Sequence, residues 1–134
     1  MINKSIITNG KRKTSIARAI INKGTGNVRV NSISLDVYSN EIARLKIKEP
    51  LMLAGEIAEK VDIKVKVKGG GWQSQAEAVR LAISKALVEF SKKDSLKKTF
   101  LEYDRHLLVA DIRRTEPQKP YRSAARARRQ KSKR

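Results

Sequence analysis

The sequence predicts a two-layer α+β body followed by an extended basic tail, and three observations carry this prediction. Residues 61–68 alternate apolar and polar side chains, the pattern of a strand with one buried face. Residues 72–92 place apolar side chains at helical spacing. The last 22 residues carry ten Lys or Arg and one acid, so they cannot bury enough apolar surface to fold alone. We therefore expect a body over residues 1–112, with three or four strands and helices on one face, and a tail over residues 113–134.

The first third of the chain is predicted to form three strands. Residues 5–9 and 14–22 are rich in β-branched side chains, and the basic run Lys11-Arg12-Lys13 separates them. A turn with two glycines at 23–27 leads into the apolar segment 28–30. Such a turn between two extended segments favours a hairpin.

Helices are predicted to surround the strand at 61–68. A short helix is expected over 39–46, with Ser39 or Asn40 as its N-cap. Pro50 is expected to open a second helix over 50–60, because proline suits the first helical turn. The long helix at 72–92 carries Leu81 and Val88 away from its main apolar stripe, which indicates a second, smaller contact surface. A last helix is expected near 95–103, with Leu96, Phe100 and Leu101 facing the body.

The charge of the chain points to a polyanionic partner. The formal net charge is +18 and the pI is near 10.6. No segment approaches the ~20 apolar residues of a membrane-spanning helix, and the N-terminus lacks the apolar stretch of a signal peptide. An intracellular nucleic acid is therefore favoured over a membrane. The absence of cysteine excludes disulfides, thiolate zinc sites and thiol catalysis.

Candidate enzyme sites are weak in this sequence. Gly69-Gly70-Gly71 follows a strand and precedes a helix, yet neither phosphate-binding glycine motif is present. A tight turn, or approach of the backbone to an RNA phosphate, is the preferred interpretation. His106 is the single histidine and has no nucleophile partner in the sequence, so we expect a structural role. No cofactor, metal or catalytic activity is expected.

Three basic segments are candidates for RNA contact. Lys11, Arg12 and Lys13, with Arg18 further along, have no neighbouring acid in the sequence. The lysines of 61–68 allow two interpretations, protection of an edge strand or contact with RNA. The tail is the strongest candidate, because arginine suits bidentate contact with phosphate. Its predicted RNA-binding residues are Arg113, Arg114, Lys119, Arg122, Arg126, Arg128, Arg129 and Lys131.

Several stretches, in order along the whole chain, resemble the ribosomal protein S9 family of the small subunit. They are GKRKTSIAR at 10–18, VKVKGGG at 65–71, QAEAVR at 75–80 with AISKAL at 82–87, and YDR at 103–105. The end of the chain, DIRRTEPQKP at 111–120 and RARRQKSKR at 126–134, is similar to the archaeal branch. Ser74 and Lys133 depart from the family pattern, which usually has glycine and, in archaea, tyrosine there.

The resemblance implies a fold like the second domain of ribosomal protein S5 and a place in the head of the cytoplasmic small subunit. It implies rRNA contacts for the body at Lys11, Arg12, Lys13, Arg18 and Gly69–Gly71. The tail would run through rRNA toward the P-site tRNA, with Lys133 and Arg134 nearest to the anticodon stem-loop. Partners would include neighbouring head proteins, without homo-oligomerisation. The alternative is a free-standing RNA chaperone or nucleic-acid-compacting protein, which would not require the motifs of the body.

Overall fold

The protein is described by a computed structural model over residues 5–129 and residue 131. It confirms the α+β prediction: helices pack on a sheet whose strand order is β1-β2-β5-β3-β4. The strands are β1 (Ile6–Arg12), β2 (Ser15–Lys23), β3 (Val28–Val30), β4 (Ile33–Ser34) and β5 (Val61–Lys68). The helices are α1 (Glu41–Ala54), α2 (Glu56–Glu59), α3 (Trp72–Ser91) and α4 (Asp94–Tyr103), with 3-10 turns at Leu35–Val37 and Arg105–Leu107. Five strands are present rather than three or four, and the architecture is consistent with the S5-like fold.

The first hairpin is longer than predicted. β1 and β2 pair antiparallel as far as Arg12, which lies opposite Ser15. Lys11 and Arg12 therefore belong to β1 instead of separating the two strands. Lys13 lies in the tight turn with φ +52°. Because β1 continues through Lys11 and Arg12, strand alternation sends these two neighbours to opposite faces of the sheet.

The predicted hairpin at 23–27 is wrong. β3 pairs in parallel with β5, with Val28 opposite Ile63, and lies on the far side of β5 from β2. The amides of Gly24 and Gly26 donate to the carbonyls of Lys60 and Val61, both at 3.0 Å. The Asp62 carboxylate also accepts from the amides at 25 and 27. These bonds hold the turn across the start of β5, so β3 cannot return beside β2.

Helix α1 is one continuous helix, so the prediction that Pro50 opens a second helix is wrong. Asn40 is the N-cap, and its side chain accepts from the amide of Ala43 at 2.9 Å. Pro50 lies inside α1 and is fully buried. Proline removes one helical hydrogen bond, and burial of its ring in the core offsets that loss. The helix ends at Gly55, whose φ is +54°.

The core lies between the sheet and α3. Alternate residues of β5 from Val61 to Val67 are buried, as predicted. Gly10 lets β1 approach α3 closely, since a Cβ there would lie 2.0 Å from the Ala78 carbonyl oxygen. Leu81 is 3% exposed and lies outside the main core cluster, which agrees with a second contact surface of α3, but Val88 packs against the main cluster, so its assignment to that second surface is wrong. Leu101 is 43% exposed, so the prediction that it faces the body is wrong.

Candidate nucleic-acid interface

The predicted basic residues of the first hairpin divide between the two faces of the sheet. One face packs against α3. The other, which we call the open face, carries exposed side chains of β1, β2, β5 and β3. Lys11 and Arg18 are exposed on the open face, whereas Arg12 points to the helix side.

Arg12 is engaged inside the protein. Its Nε donates to Oε2 of Glu77 on α3 at 2.8 Å, and an Nη donates to the carbonyl of Arg113 at 3.1 Å. Its other Nη lies 3.6 Å from Oδ2 of Asp111. The Arg12 side chain is 12% exposed. Its planar fork therefore joins β1 and α3 to the first residues of the tail.

Further charges extend this cluster around Arg12. Lys46 on α1 donates to Oε1 of Glu77 at 3.0 Å, and Arg113 donates to Oδ2 of Asp111 at 2.7 Å. The residues line a cleft of about 150 Å³. We call Arg12, Lys46, Glu77, Asp111 and Arg113 the tail anchor. Local sequence patterns do not pair Arg12 with acids 65 and 99 residues away, so Glu77 and Asp111 were missed as its partners.

The two carboxylates of the tail anchor are held in the charged form. Burial alone would raise the pKa of Glu77, but the hydrogen bonds and charges of Lys46 and Arg12 outweigh it and lower that pKa. The hydrogen bonds of Arg113 hold the pKa of Asp111 well below its ordinary value. At neutral pH the cluster therefore contains two carboxylates among three cations.

The glycine run forms a turn against the tip of the first hairpin. Gly69 and Gly70 have φ values of +79° and +65°. A Cβ at Gly70 would lie 2.2 Å from Oγ of Ser15, which itself donates to the Gly69 carbonyl at 2.7 Å. The structure thus brings Lys13 and Gly69–Gly71, two separate predicted segments, to the same end of the sheet.

The open face is strongly basic. Arg18 lies directly opposite Lys66, and Arg29 lies directly opposite Lys64. All four side chains are exposed. β5 lies third in the sheet, and β3 pairs with it at Ile63–Val65, so the edge-protection interpretation is wrong for Lys64. It stays open for Lys66 and Lys68, which lie beyond the end of β3. Arg29 was not among the predicted site residues.

The tail has no helix or strand among its described residues. Its single acid, Glu116, accepts from Arg126 at 2.8 Å and from Lys119 at 3.5 Å. The Arg129 guanidinium lies 5.4 Å from the centre of the Tyr121 ring. Arg122 is half-buried, and the other predicted residues of the tail are exposed, namely Arg113, Arg114, Lys119, Arg126, Arg128, Arg129 and Lys131. Lys133 and Arg134 lie outside the described residues.

The described residues offer little for other chemistry. Across 5–129 and 131, no group of three or more His, Cys, Asp or Glu side chains is placed to hold a metal ion. His106 is exposed, and its Nδ1 lies 3.3 Å from the Val109 carbonyl oxygen. Within the same part of the chain, no helix is long and apolar enough to cross a membrane.

Comparison with known proteins assigns the family. The family model described as ribosomal protein S9/S16 matches residues 10–134. A small ribosomal subunit protein uS9 of Desulfurococcus amylolyticus is 54% identical over 96% of this chain and 92% of its own length. Proteins of the same name are 50% identical in Methanococcus vannielii, over 96% of this chain and 98% of their own length, and in Pyrobaculum aerophilum, over 95% and 89%. The chain therefore belongs to the ribosomal protein S9/S16 family, and its relatives here are archaeal.

Proposed function

We propose that this ribosomal protein is a structural component of the small-subunit head that binds rRNA through its body and tail. The observation that carries the proposal is the composition of residues 113–134, where ten cations accompany one acid. The described cations of this segment are mostly exposed and lie on a chain without helix or strand. Such a segment is suited to binding along RNA, where phosphates neutralise the cations that have no acidic side chain beside them in the sequence.

The body contributes a second group of contacts in this proposal. Lys11, Lys13 and Arg18 are exposed and have no ion pair with a described acid. The turn at Gly69–Gly71 lies beside Lys13 and presents exposed backbone. The sequence also predicts Arg12 as an rRNA contact. Because its guanidinium is engaged by Glu77 and Asp111, we propose that Arg12 supports the interface by holding the start of the tail.

The tail anchor sets where the arm leaves the body. Beyond Arg113, the remaining 21 residues span up to about 70 Å when extended at ~3.3 Å per residue. An arm of this length reaches well beyond the body that carries it. We propose that it passes through rRNA to the P-site tRNA, with Lys133 and Arg134 nearest to the anticodon stem-loop phosphates.

The experiment compares three kinds of reconstituted small subunits: wild type, a Lys133→Gln/Arg134→Gln variant, and a Lys97→Gln/Lys98→Gln variant as a control with the same loss of charge on α4. We expect all three proteins to assemble. The tail variant alone should release P-site tRNA more readily, with a log–log salt slope smaller by about 1.4 to 1.8 for two lost contacts. Equal tRNA retention in the tail variant and the control would contradict the tRNA contact.

The rRNA part of the proposal has a separate measurement. After a high-salt wash, the full-length protein should sediment with small subunits from a cell lysate. A predominantly free or DNA-bound pool would instead support a free-standing nucleic-acid-binding protein.

A further inference from the structure

The open face carries positive charge that the protein itself does not neutralise. Among the described acids, none forms an ion pair with the exposed cations Lys11, Arg18, Arg29, Lys64, Lys66 or Lys68. The one acid on this side of β5, Asp62, accepts the amide hydrogen bonds of the turn at 24–27. The open face is therefore strongly cationic, and Asp62, which interacts with the charge of Lys64 at one end of the row, is the one carboxylate that the described strands β1, β2, β3 and β5 carry.

The arrangement of these cations is unfavourable for the isolated protein. Arg18 faces Lys66, and Arg29 faces Lys64, as directly opposed residues of neighbouring strands. Like charges in that relation repel and destabilise a sheet. Protection of a sheet edge does not explain Lys64, which has a partner strand on each side, whereas Lys66 pairs with β2 alone because β3 ends opposite Val65. A bound polyanion accounts for both the charge and its placement.

We propose that the open face binds the phosphate backbone of double-stranded RNA. This inference deepens the proposed rRNA binding and rests on it. Lys64, Lys66 and Lys68 follow one another at every second residue of β5, which spaces them by roughly 6.6–6.8 Å along the strand. Arg18 and Arg29 flank this row on the two neighbouring strands, about 4.8 Å away. The result is a flat cationic band several phosphates long.

The side chains between the cations favour a duplex over a single strand. Single strands are held by aromatic side chains on which bases stack, and no aromatic residue occurs in β1, β2, β3 or β5. Ile7 and Ile16 are exposed on the open face, and Asn9 lies beside Arg18. Apolar and amide groups beside a cationic band suit the wide, shallow minor groove of an RNA helix, with its ribose edges and 2′-hydroxyls.

Lysine acetylation of the full-length protein tests the proposal. Three samples are treated with an acetylating ester. They are the protein alone, the protein with a hairpin RNA of about 16 base pairs, and the protein with an unpaired RNA of the same composition. Modification at each lysine is then measured by mass spectrometry. We expect the duplex to protect Lys64, Lys66 and Lys68 severalfold, and Lys97 and Lys98 of α4 to stay reactive. The unpaired RNA should protect only lysines of the tail, such as Lys119.

The outcomes separate this proposal from the proposed function. If the duplex protects lysines of the tail but not those of the open face, the inference is overturned, while rRNA binding by the tail stands. Equal protection of the open face by unpaired RNA would overturn the choice of a duplex. Protection of the open face only in assembled subunits, and not by duplex RNA, would overturn the choice of a simple RNA duplex as its partner. No protection anywhere, with no sedimentation with subunits, would defeat the proposed function itself.

A pair of variants provides a second measurement. Arg18→Gln/Lys66→Gln removes one opposed pair from the open face, and Lys97→Gln/Lys98→Gln removes the same charge from α4. We expect the first variant to lower the log–log salt slope of duplex binding by about 1.4 to 1.8, as for two lost phosphate contacts. The slope of the second should match wild type. Equal slopes for the two variants would overturn the proposal.

Discussion

The guanidinium of Arg12 and the carboxylate of Glu77 form an ion pair between the end of β1 and the first half of α3, with 2.8 Å from Nε to Oε2. The same guanidinium donates to the backbone carbonyl of Arg113 at 3.1 Å. Two residues distant in sequence thus determine where the tail begins. The tail anchor links the folded body to the segment proposed to reach the tRNA.

Replacing Glu77 with Gln should destabilise the protein, because two cations would lose a charged partner. We expect a decrease of about 1.5–3 kcal/mol in the free energy of unfolding, the range for hydrogen bonds to charged groups. Urea unfolding followed by circular dichroism measures it. Glu89→Gln is the matched control, since Glu89 is exposed on the same helix and forms no ion pair with a described residue. Equal effects of the two changes would contradict the role given to Glu77.

The contribution of Glu77 should depend on pH. Its pKa is lowered in the folded state, so the carboxylate stabilises the fold above the unfolded value of about 4.3. As the pH falls through the lower folded pKa, that contribution is lost. The stability difference between wild type and Glu77→Gln should therefore be full at pH 6–7 and shrink below about pH 4. Unfolding free energies measured across this range would contradict the assignment if the difference stayed constant.

Lys11 and Arg12 should respond differently to the same substitution. Arg12→Gln removes the ion pairs with Glu77 and Asp111, so we expect lower stability and little change in the salt slope of RNA binding. Lys11→Gln removes an exposed cation of the open face, so we expect unchanged stability and a slope smaller by about 0.7 to 0.9. Each variant is the control for the other. Identical behaviour would contradict their assignment to opposite faces.

Gly70→Ala should destabilise the turn after β5, and Gly71→Ala should not. Gly70 has φ +65°, and a Cβ there would collide with Ser15. Gly71 has φ −89° and no heavy atom within 4 Å of an added Cβ. A loss of about 1–3 kcal/mol is expected for the strained position. Thermal unfolding of both variants measures it, and a stable Gly70→Ala protein would contradict the geometry of the turn.

Lys66→Gln should slightly stabilise the free protein while it weakens duplex binding. Removal of one member of the opposed Arg18–Lys66 pair relieves repulsion, which for directly opposed charges is about 0.2–1 kcal/mol. Lys97→Gln removes a cation that has no opposed partner on a strand, so it should leave stability unchanged. Denaturant unfolding at low salt, where repulsion is least screened, distinguishes the two. A destabilised Lys66→Gln protein would contradict the repulsion argument.

Local sequence patterns were sufficient to predict the bounds of the elements with strong periodicity. β5 begins and ends where its alternation predicts, and α3 covers all but the last residue of the predicted span. Pro50 shows the limit of local rules, because burial in the core outweighs its preference for a first turn. The glycine turn at 23–27 likewise could not predict that β3 pairs with β5, because that pairing depends on hydrogen bonds to a strand more than 30 residues later.

The sequence by itself determined the family, the α+β class, the apolar face of β5 and the division of charge between body and tail. These properties follow from composition, short-range periodicity and ordered motifs. Only the tertiary structure decided which cations are free. Arg12 and Lys11 are neighbours of equal charge, yet Arg12 meets Glu77 and Asp111 while Lys11 lies on the open face. Strand alternation and contacts between distant segments made that difference, because a charge is neutralised by what lies near it in space.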